Sequence, residues 1–316
     1  MNIIFFHSSA PHFNCDKWFQ GIQARLPEAN IRQWVRGDNA PADYALVWLP
    51  PHEMLSSRQD IKGIFSLGAG VDAILQKELE NPGTLPKGIP LIRLEDTGMA
   101  QQMQEYAVSS VLYYFRRMDE YKQYQAQRLW NPMPAYNRKE FVIGVLGAGI
   151  LGRSVIEKLK EFGFNVRCWS RTPKQIDHVE NFYGKAQLDD FLSECKVLIN
   201  ILPDTPETRG LLNLSLFRQL KSGSYVINIA RGAQLVEQDL LTAIDKGYVA
   251  GATLDVFVDE PLSKFHPFWT HPRINITPHI AAKTIPDEAM DMICDNIRRM
   301  EKGESPIGLV DMRRGY

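Results

Sequence analysis

The sequence predicts an α/β protein built on parallel sheets in two successive regions. Short runs rich in Ile, Val, Leu and Phe alternate with polar stretches of helical length along the chain. The runs are too continuously apolar for sheets with one wet face, so both faces should be covered. A strand–glycine–helix pattern also opens the second region.

In the first region the expected strands are NIIFF (2–6), YALVWLP (44–50), IKGIFSLGAG (61–70) and IPLIRL (89–94). The stretch Gly98–Gln125 has no proline and carries apolar residues at helical spacing, so it reads as one long helix. Arg128–Phe141, RLWNPMPAYNRKEF, is long and proline-rich for a simple connector. The second region offers FVIGVLG, NVRCWS, VLINILP, SYVINIA, GATLDVF and NITPH. Six β units with helices between them fit a Rossmann-type fold. After Pro286 comes a final helix, DEAMDMICDNIRRMEKG, with no strand to follow it in that region. It is expected to return and cover the first.

A chain of 316 residues with 44 % hydrophobic and 23 % charged residues has room for two ordinary domains. A net charge of −1 gives no electrostatic footprint for nucleic acid. The four cysteines form no C-x-x-C pair, and no signal segment precedes the first strand, so reduced thiols and a cytoplasmic protein are expected. No apolar run approaches the ~20 residues of a membrane span, and no metal site is expected.

The pattern VIGVLGAGILGR, Val142–Arg153, places Gly147, Gly149 and Gly152 between a strand and a helix. That is the G-x-G-x-x-G order of a dinucleotide site. Gly147 permits a tight turn, Gly149 lets the backbone approach a pyrophosphate, and Gly152 allows close packing of the helix. The first helical residues, Ile150 and Leu151 among them, would offer unpaired N–H groups to the phosphates. The end of the next strand reads RCWSRTPK, where an NAD site usually carries an acid. Here Ser170, Arg171, Thr172 and Lys174 stand instead. A basic surface loop would look the same, but the missing acid and the added cations together favour a 2′-phosphate, hence NADP(H) over NAD(H).

Arg231 in INIARGAQL, Glu260 in LDVFVDEPL and His279 in ITPHIAA each follow a strand. Singly, these could be a surface ion pair, a loop turn and a structural histidine. Together they fall at one edge of one sheet, where ligands of open α/β sheets bind.

The chain resembles the D-isomer-specific 2-hydroxyacid dehydrogenase family. The resemblance rests on LGAGVD (67–72), GVLGAGILGR (144–153), ILPDTPETRGLLN (201–213), VINIARGAQLVEQDLLTAIDKGYVAGATLDVFVDEPL (226–262) and HPRINITPHIAA (271–282). It implies a nucleotide domain, 105–284, inserted into a smaller flavodoxin-like substrate domain, 1–104 and 285–316, with the active site in the cleft between them. Pro203 and Asp255 are implied cofactor contacts, Asp255 to the nicotinamide carboxamide; a cap or loop salt bridge is the other reading of Asp255. The family also uses the 128–141 region as a dimer arm, which implies a homodimer through the nucleotide domain with Trp130 buried by the partner.

The implied reaction is NADPH-dependent reduction of small 2-oxo acids, glyoxylate to glycolate and hydroxypyruvate to D-glycerate. Arg231 can hold the carboxylate and ketone oxygens in its planar fork. The Gly-rich loop Leu67, Gly68, Ala69, Gly70 can form an anion nest for the carboxylate. His279 would protonate the developing alkoxide, and Glu260 would orient it and favour its imidazolium form. Trp48 and Met99 are bulky and suit a small acid, although Trp48 could equally pack in the core. Two other readings are open. A cofactor-sensing corepressor-like binding protein has the same motifs, but this chain shows no tail or basic patch for recruitment. A formate-type dehydrogenase would pair its histidine with glutamine rather than Glu260.

Overall fold

The computed structural model describes residues 1–9 and 13–316. It divides into two compact units, Met1–Gly98 with Thr284–Tyr316, and Met99–Lys283. The first contains β1 (Asn2–His7), α1 (Cys15–Arg25), β2 (Asn30–Gln33), β3 (Tyr44–Trp48), α2 (His52–Leu55), β4 (Gly63–Ser66), α3 (Asp72–Glu80) and β5 (Leu91–Ile92). The second contains α4 (Met99–Phe115), α5 (Met118–Ala126), β6 (Ile143–Leu146), α6 (Ile150–Glu161), β7 (Val166–Ser170), β8 (Glu180–Tyr183), α7 (Leu188–Ser193), β9 (Val197–Asn200), α8 (Leu214–Phe217), β10 (Ser224–Asn228), α9 (Glu237–Asp245), β11 (Val249–Leu254) and β12 (Ile274–Ile276). The last helix, α10 (Pro286–Glu301), belongs to the first unit.

The first unit is a parallel sheet in the order β2-β1-β3-β4-β5, the flavodoxin-like arrangement. Its strands are buried because both faces carry apolar side chains: Ile4, Ala45, Val47 and Ile64 pack into one cluster with Trp34, Leu55 and Ile74. Helix α10 lies on α1, with Met290 over Gly21 and Arg25 Nε donating to Asp291 Oδ1 at 2.5 Å. The final helix thus does return to the first unit.

The second unit is a seven-stranded parallel sheet in the order β12-β11-β10-β9-β6-β7-β8. Successive residues of its strands alternate between two cores. Val197, Ile199, Tyr225 and Ile227 enter one, beside α4 and α6. Leu198, Val226, Ala252 and Leu254 enter the other. The order reverses between β6 and β9, and every strand ends on the same edge, in register: Leu146 faces Asn200, Asn200 faces Asn228, and Asn228 faces Leu254.

Two expectations are corrected. The helix read over 98–125 is two helices, broken where Arg117 adopts a left-handed backbone, φ 56°. The break lets the Arg117 guanidinium sit 4.2 Å from the Tyr136 ring centroid. Two strands were not foreseen, β2 and β8, giving the second sheet seven strands rather than six. Both are polar edge strands with no apolar run to betray them. The compact units meet at 98/99 and 283/284. Helix α4 is unbroken from Met99 and packs on α6 through a continuous face containing Met103, Ala107 and Val111. Among the described residues no helix is long and apolar enough to cross a membrane.

Candidate active site

The second unit gathers eleven of its predicted site residues at the C-terminal edge of its sheet, Ser170 at the end of β7 and the others on the loops after β6, β7, β9, β10, β11 and β12: Gly147, Gly149, Arg171, Thr172, Lys174, Pro203, Arg231, Asp255, Glu260 and His279.

The glycine loop has the backbone its residues allow. Gly147 has φ +105°, and its N–H donates to Trp169 O at 2.9 Å, closing β6 against β7. A side chain at Gly152 would overlap the Gly147 carbonyl, so α6 starts directly under the turn. Space around Gly149 is open: a Cβ there would meet nothing within 4 Å. The first turn of α6 leaves its leading N–H groups without helical acceptors, Ile150 is exposed and Leu151 half-buried. An exposed, glycine-lined helix start of this kind fits a pyrophosphate.

At the end of β7 the Ser170 hydroxyl donates to Thr172 O at 2.8 Å, folding the loop back on itself. Arg171, Thr172 and Lys174 are exposed. Trp169 Nε1 donates to Gly184 O at 2.9 Å, which ties this loop to the edge strand β8.

The three candidate catalytic residues lie on neighbouring loops. A side chain at Gly232 would overlap the Phe257 backbone, so only glycine allows the Arg231 loop to rest on the loop that leads to Glu260. Arg231 Nη1 donates to Ala230 O at 2.8 Å. Glu260 Oε1 accepts from Phe257 N at 3.0 Å, and its Oε2 lies 2.7 Å from His279 Nδ1. The carboxylate can only accept, so Nδ1 carries the proton and Nε2 is the nitrogen left for chemistry. Both side chains are over a third exposed, where an ion pair adds little stability.

His279 has a left-handed backbone, φ 52°, and the turn that holds it is built on Asp255. Asp255, 1 % exposed, accepts from Thr277 Oγ1 at 2.5 Å, Ile280 N at 2.8 Å and Ala281 N at 2.7 Å. His279 N donates to Asp255 O at 2.8 Å. The Thr277 hydroxyl spends its one hydrogen on Asp255, so the Tyr106 hydroxyl, 2.5 Å away, donates to it. Burial pushes the Tyr106 phenol up to about 12 and keeps it a donor.

Sequence reasoning missed Tyr106 and Thr277, and it also missed a buried amide network under Arg231. Asn200 Nδ2 donates to Asn228 Oδ1 at 3.0 Å and to Gln234 Oε1 at 2.6 Å. Asn228 Nδ2 donates to Arg231 O at 3.1 Å. A signal was present: VLIN and SYVIN each end on Asn, and these two residues pair in register.

In the first unit the half-buried Trp48 ring lies against Gly68, where a Cβ would meet Cζ3 at 2.6 Å. Trp48 also lies nearly parallel to His7, at 6.3 Å and 22°, and burial holds the His7 imidazole below its ordinary value. Leu67 and Gly68 are buried, Ala69 and Gly70 half-buried. Among the described residues the N–H groups of Ala69 and Gly70 carry no hydrogen bond. Met99 is buried at the start of α4, in the second unit. Among the described residues no cluster of His, Cys, Asp or Glu could hold a metal ion.

Residues 108–281 match the family described as D-isomer specific 2-hydroxyacid dehydrogenase, NAD binding domain. A glyoxylate/hydroxypyruvate reductase A of Photorhabdus laumondii subsp. laumondii is 66 % identical over 316 residues, all of both chains. A D-isomer specific 2-hydroxyacid dehydrogenase of Xanthobacter autotrophicus Py2, solved with NADPH and MES, superposes with a TM-score of 0.92 at 37 % identity, covering 100 % of this chain and 99 % of that one. An NADPH-dependent glyoxylate/hydroxypyruvate reductase of Sinorhizobium meliloti, solved with NADP and sulfate, gives 0.89 at 31 % identity with the same coverage.

Proposed function

This chain belongs to the D-isomer specific 2-hydroxyacid dehydrogenase family, and we propose that it reduces small 2-oxo acids, glyoxylate and hydroxypyruvate, with NADPH in preference to NADH. The observation that carries the reading is the His279–Glu260 contact on the loops beside Arg231. Relatives matched over the whole chain carry a reductase name, which disfavours the corepressor-like alternative.

NADPH, when bound, supplies the hydride. Gly147, Gly149, Ile150, Leu151 and Gly152 hold its pyrophosphate at the start of α6. Ser170, Arg171, Thr172 and Lys174 take the 2′-phosphate, and Pro203 lines the cofactor. Asp255 has used three of its roughly four acceptor positions, which leaves one for the carboxamide N–H.

Arg231 binds the carboxylate and ketone oxygens of the acid through its fork. His279 gives its Nε2 proton to the developing alkoxide. Glu260 accepts from Nδ1, fixes the ring's tautomer and balances the imidazolium charge. The turn Leu67, Gly68, Ala69 and Gly70 offers the N–H groups of Ala69 and Gly70 as an anion nest for a carboxylate, and Trp48 beside it limits the size of the acid. The protomer is one half of a homodimer in which the 128–141 arm lies on the partner. Trp130 is 98 % exposed and Leu129 also exposed in the single chain.

The test is a steady-state panel of 2-oxo acids with each reduced cofactor, read at the nicotinamide absorbance. Glyoxylate and hydroxypyruvate should be turned over with NADPH, and light scattering should give a dimer. No NADPH oxidation with either acid would refute the activity; a monomer at micromolar concentration would refute the assembly.

A further inference from the structure

Gln234 lies in a 3-10 turn after Arg231 and is 1 % exposed. Its single amide group is saturated. Oε1 accepts from Arg231 N at 3.2 Å and from Asn200 Nδ2 at 2.6 Å. Nε2 donates to Leu202 O at 3.0 Å and to Pro203 O at 2.9 Å, with Thr208 Oγ1 at 3.4 Å. A carbonyl oxygen accepts two bonds and an amide nitrogen donates two, so both ends are fully used. The oxygen end sets the backbone from which Arg231 projects. The nitrogen end holds two consecutive carbonyls of the loop after β9, at the switch point of the sheet. Asn200 and Asn228 lock the amide in place, because Asn200 Nδ2 donates to both Gln234 and Asn228, and Asn228 Nδ2 holds the Arg231 carbonyl.

From this geometry we infer that Gln234 is a positioning residue that couples the Pro203 loop to Arg231. The inference rests on the proposed roles of Pro203 toward the cofactor and Arg231 toward the 2-oxo acid. Gln234 is 1 % exposed and its amide is committed to protein partners, so its part is to place other residues. It acts by giving both loops one rigid reference in a buried site, where a partly satisfied polar network would be costly. Only an amide serves here. A carboxylate keeps the two acceptor bonds and loses both donations, and a thioether of similar length loses all of them.

The two ends of the amide therefore separate in experiment. Gln234→Met should raise the KM for glyoxylate and the Kd for NADPH together, each by about tenfold, the scale of one or two lost buried hydrogen bonds, with kcat changed less than kcat/KM. Gln234→Glu should raise the Kd for NADPH while leaving the KM for glyoxylate much nearer wild type. The Kd is read from nicotinamide fluorescence on the intact protein and needs no turnover. If the wild-type chain failed to reduce glyoxylate, the functional reading would fail, while a wild-type NADPH Kd in both variants would still overturn the hold of Gln234 on the Pro203 loop. A Met variant with wild-type KM and Kd, whatever its Tm, overturns the inference. So does a Glu variant in which both constants move in step. Should Gln234→Met fail to fold, the Glu variant alone decides between coupling and its absence.

Discussion

His279 Nδ1 lies 2.7 Å from Glu260 Oε2, and the other oxygen of that carboxylate is held by the Phe257 N–H at 3.0 Å. The glutamate is therefore anchored on its own loop before it meets the histidine. Glu260→Gln keeps an acceptor for Nδ1 but removes the charge, whereas Glu260→Ala removes both. The expected result is a graded fall in kcat for glyoxylate, larger for Ala, with little change in KM because Arg231 binds the acid. Equal effects of the two variants in steady-state kinetics would show that the charge alone matters.

Asp255 separates stability from chemistry. Its carboxylate takes the backbone N–H groups of Ile280 and Ala281 and the Thr277 hydroxyl. Asp255→Ala leaves those donors buried without an acceptor, at about 1–3 kcal/mol each for groups that find no water. Thermal unfolding should show a clear drop in Tm together with lost activity, while His279→Ala, at an exposed side chain, keeps its Tm. An Asp255→Ala protein as stable as wild type would contradict this account of the turn.

Trp48 against Gly68 gives a prediction about substrate size. Trp48→Ala opens space beside the Leu67–Gly70 turn, so kcat/KM for 2-oxobutyrate should improve relative to glyoxylate. A uniform loss for every acid, with a lowered Tm, would assign the ring to packing alone.

The cofactor loop is tested by exchange of charge. Arg171 can supply a charge-assisted bond to the 2′-phosphate worth about 1.5–3 kcal/mol. Wild type should therefore prefer NADPH by roughly tenfold or more in kcat/KM. Ser170→Asp with Arg171→Ala should reverse the preference. Equal kcat/KM for the two cofactors in wild type would refute this reading of the loop.

Asp119 predicts a pH effect on stability. Its Oδ1 is buried with no hydrogen-bond partner among the described residues. Burial holds its carboxyl above the ordinary 3.8, against the opposing pull of the Tyr225 hydroxyl. The folded state thus binds more protons than the unfolded one only between the ordinary value and its own raised one, so stability falls as pH rises through that window and the penalty is complete at neutral pH. Asp119→Asn should raise Tm near neutrality and lose that advantage in acid below about pH 4. A lower Tm at neutral pH would contradict this.

Both sheets were legible in the sequence because their central strands are apolar on two faces, as in VLIN and SYVIN. The edge strands β2 and β8 were not, since an edge needs no apolar run and Glu180 instead bonds Arg167 at 2.6 Å. The helix break at Arg117 left no proline or glycine as a mark. Arg231, Glu260 and His279 stood out as polar residues just past strands. Gln234 and Tyr106 did not, because a lone polar residue bonded to backbone or hydroxyl partners distant in sequence has no spacing to recognise.

The central claim is that His279 delivers a proton during NADPH-driven reduction of a 2-oxo acid. Its most direct test is the initial rate with glyoxylate and NADPH for wild type and His279→Ala, paired with the NADPH Kd of each. The account predicts that kcat/KM falls by roughly 10²–10⁴-fold, the range for loss of a general acid, at unchanged Kd. A His279→Ala enzyme with near-wild-type kcat/KM would contradict it.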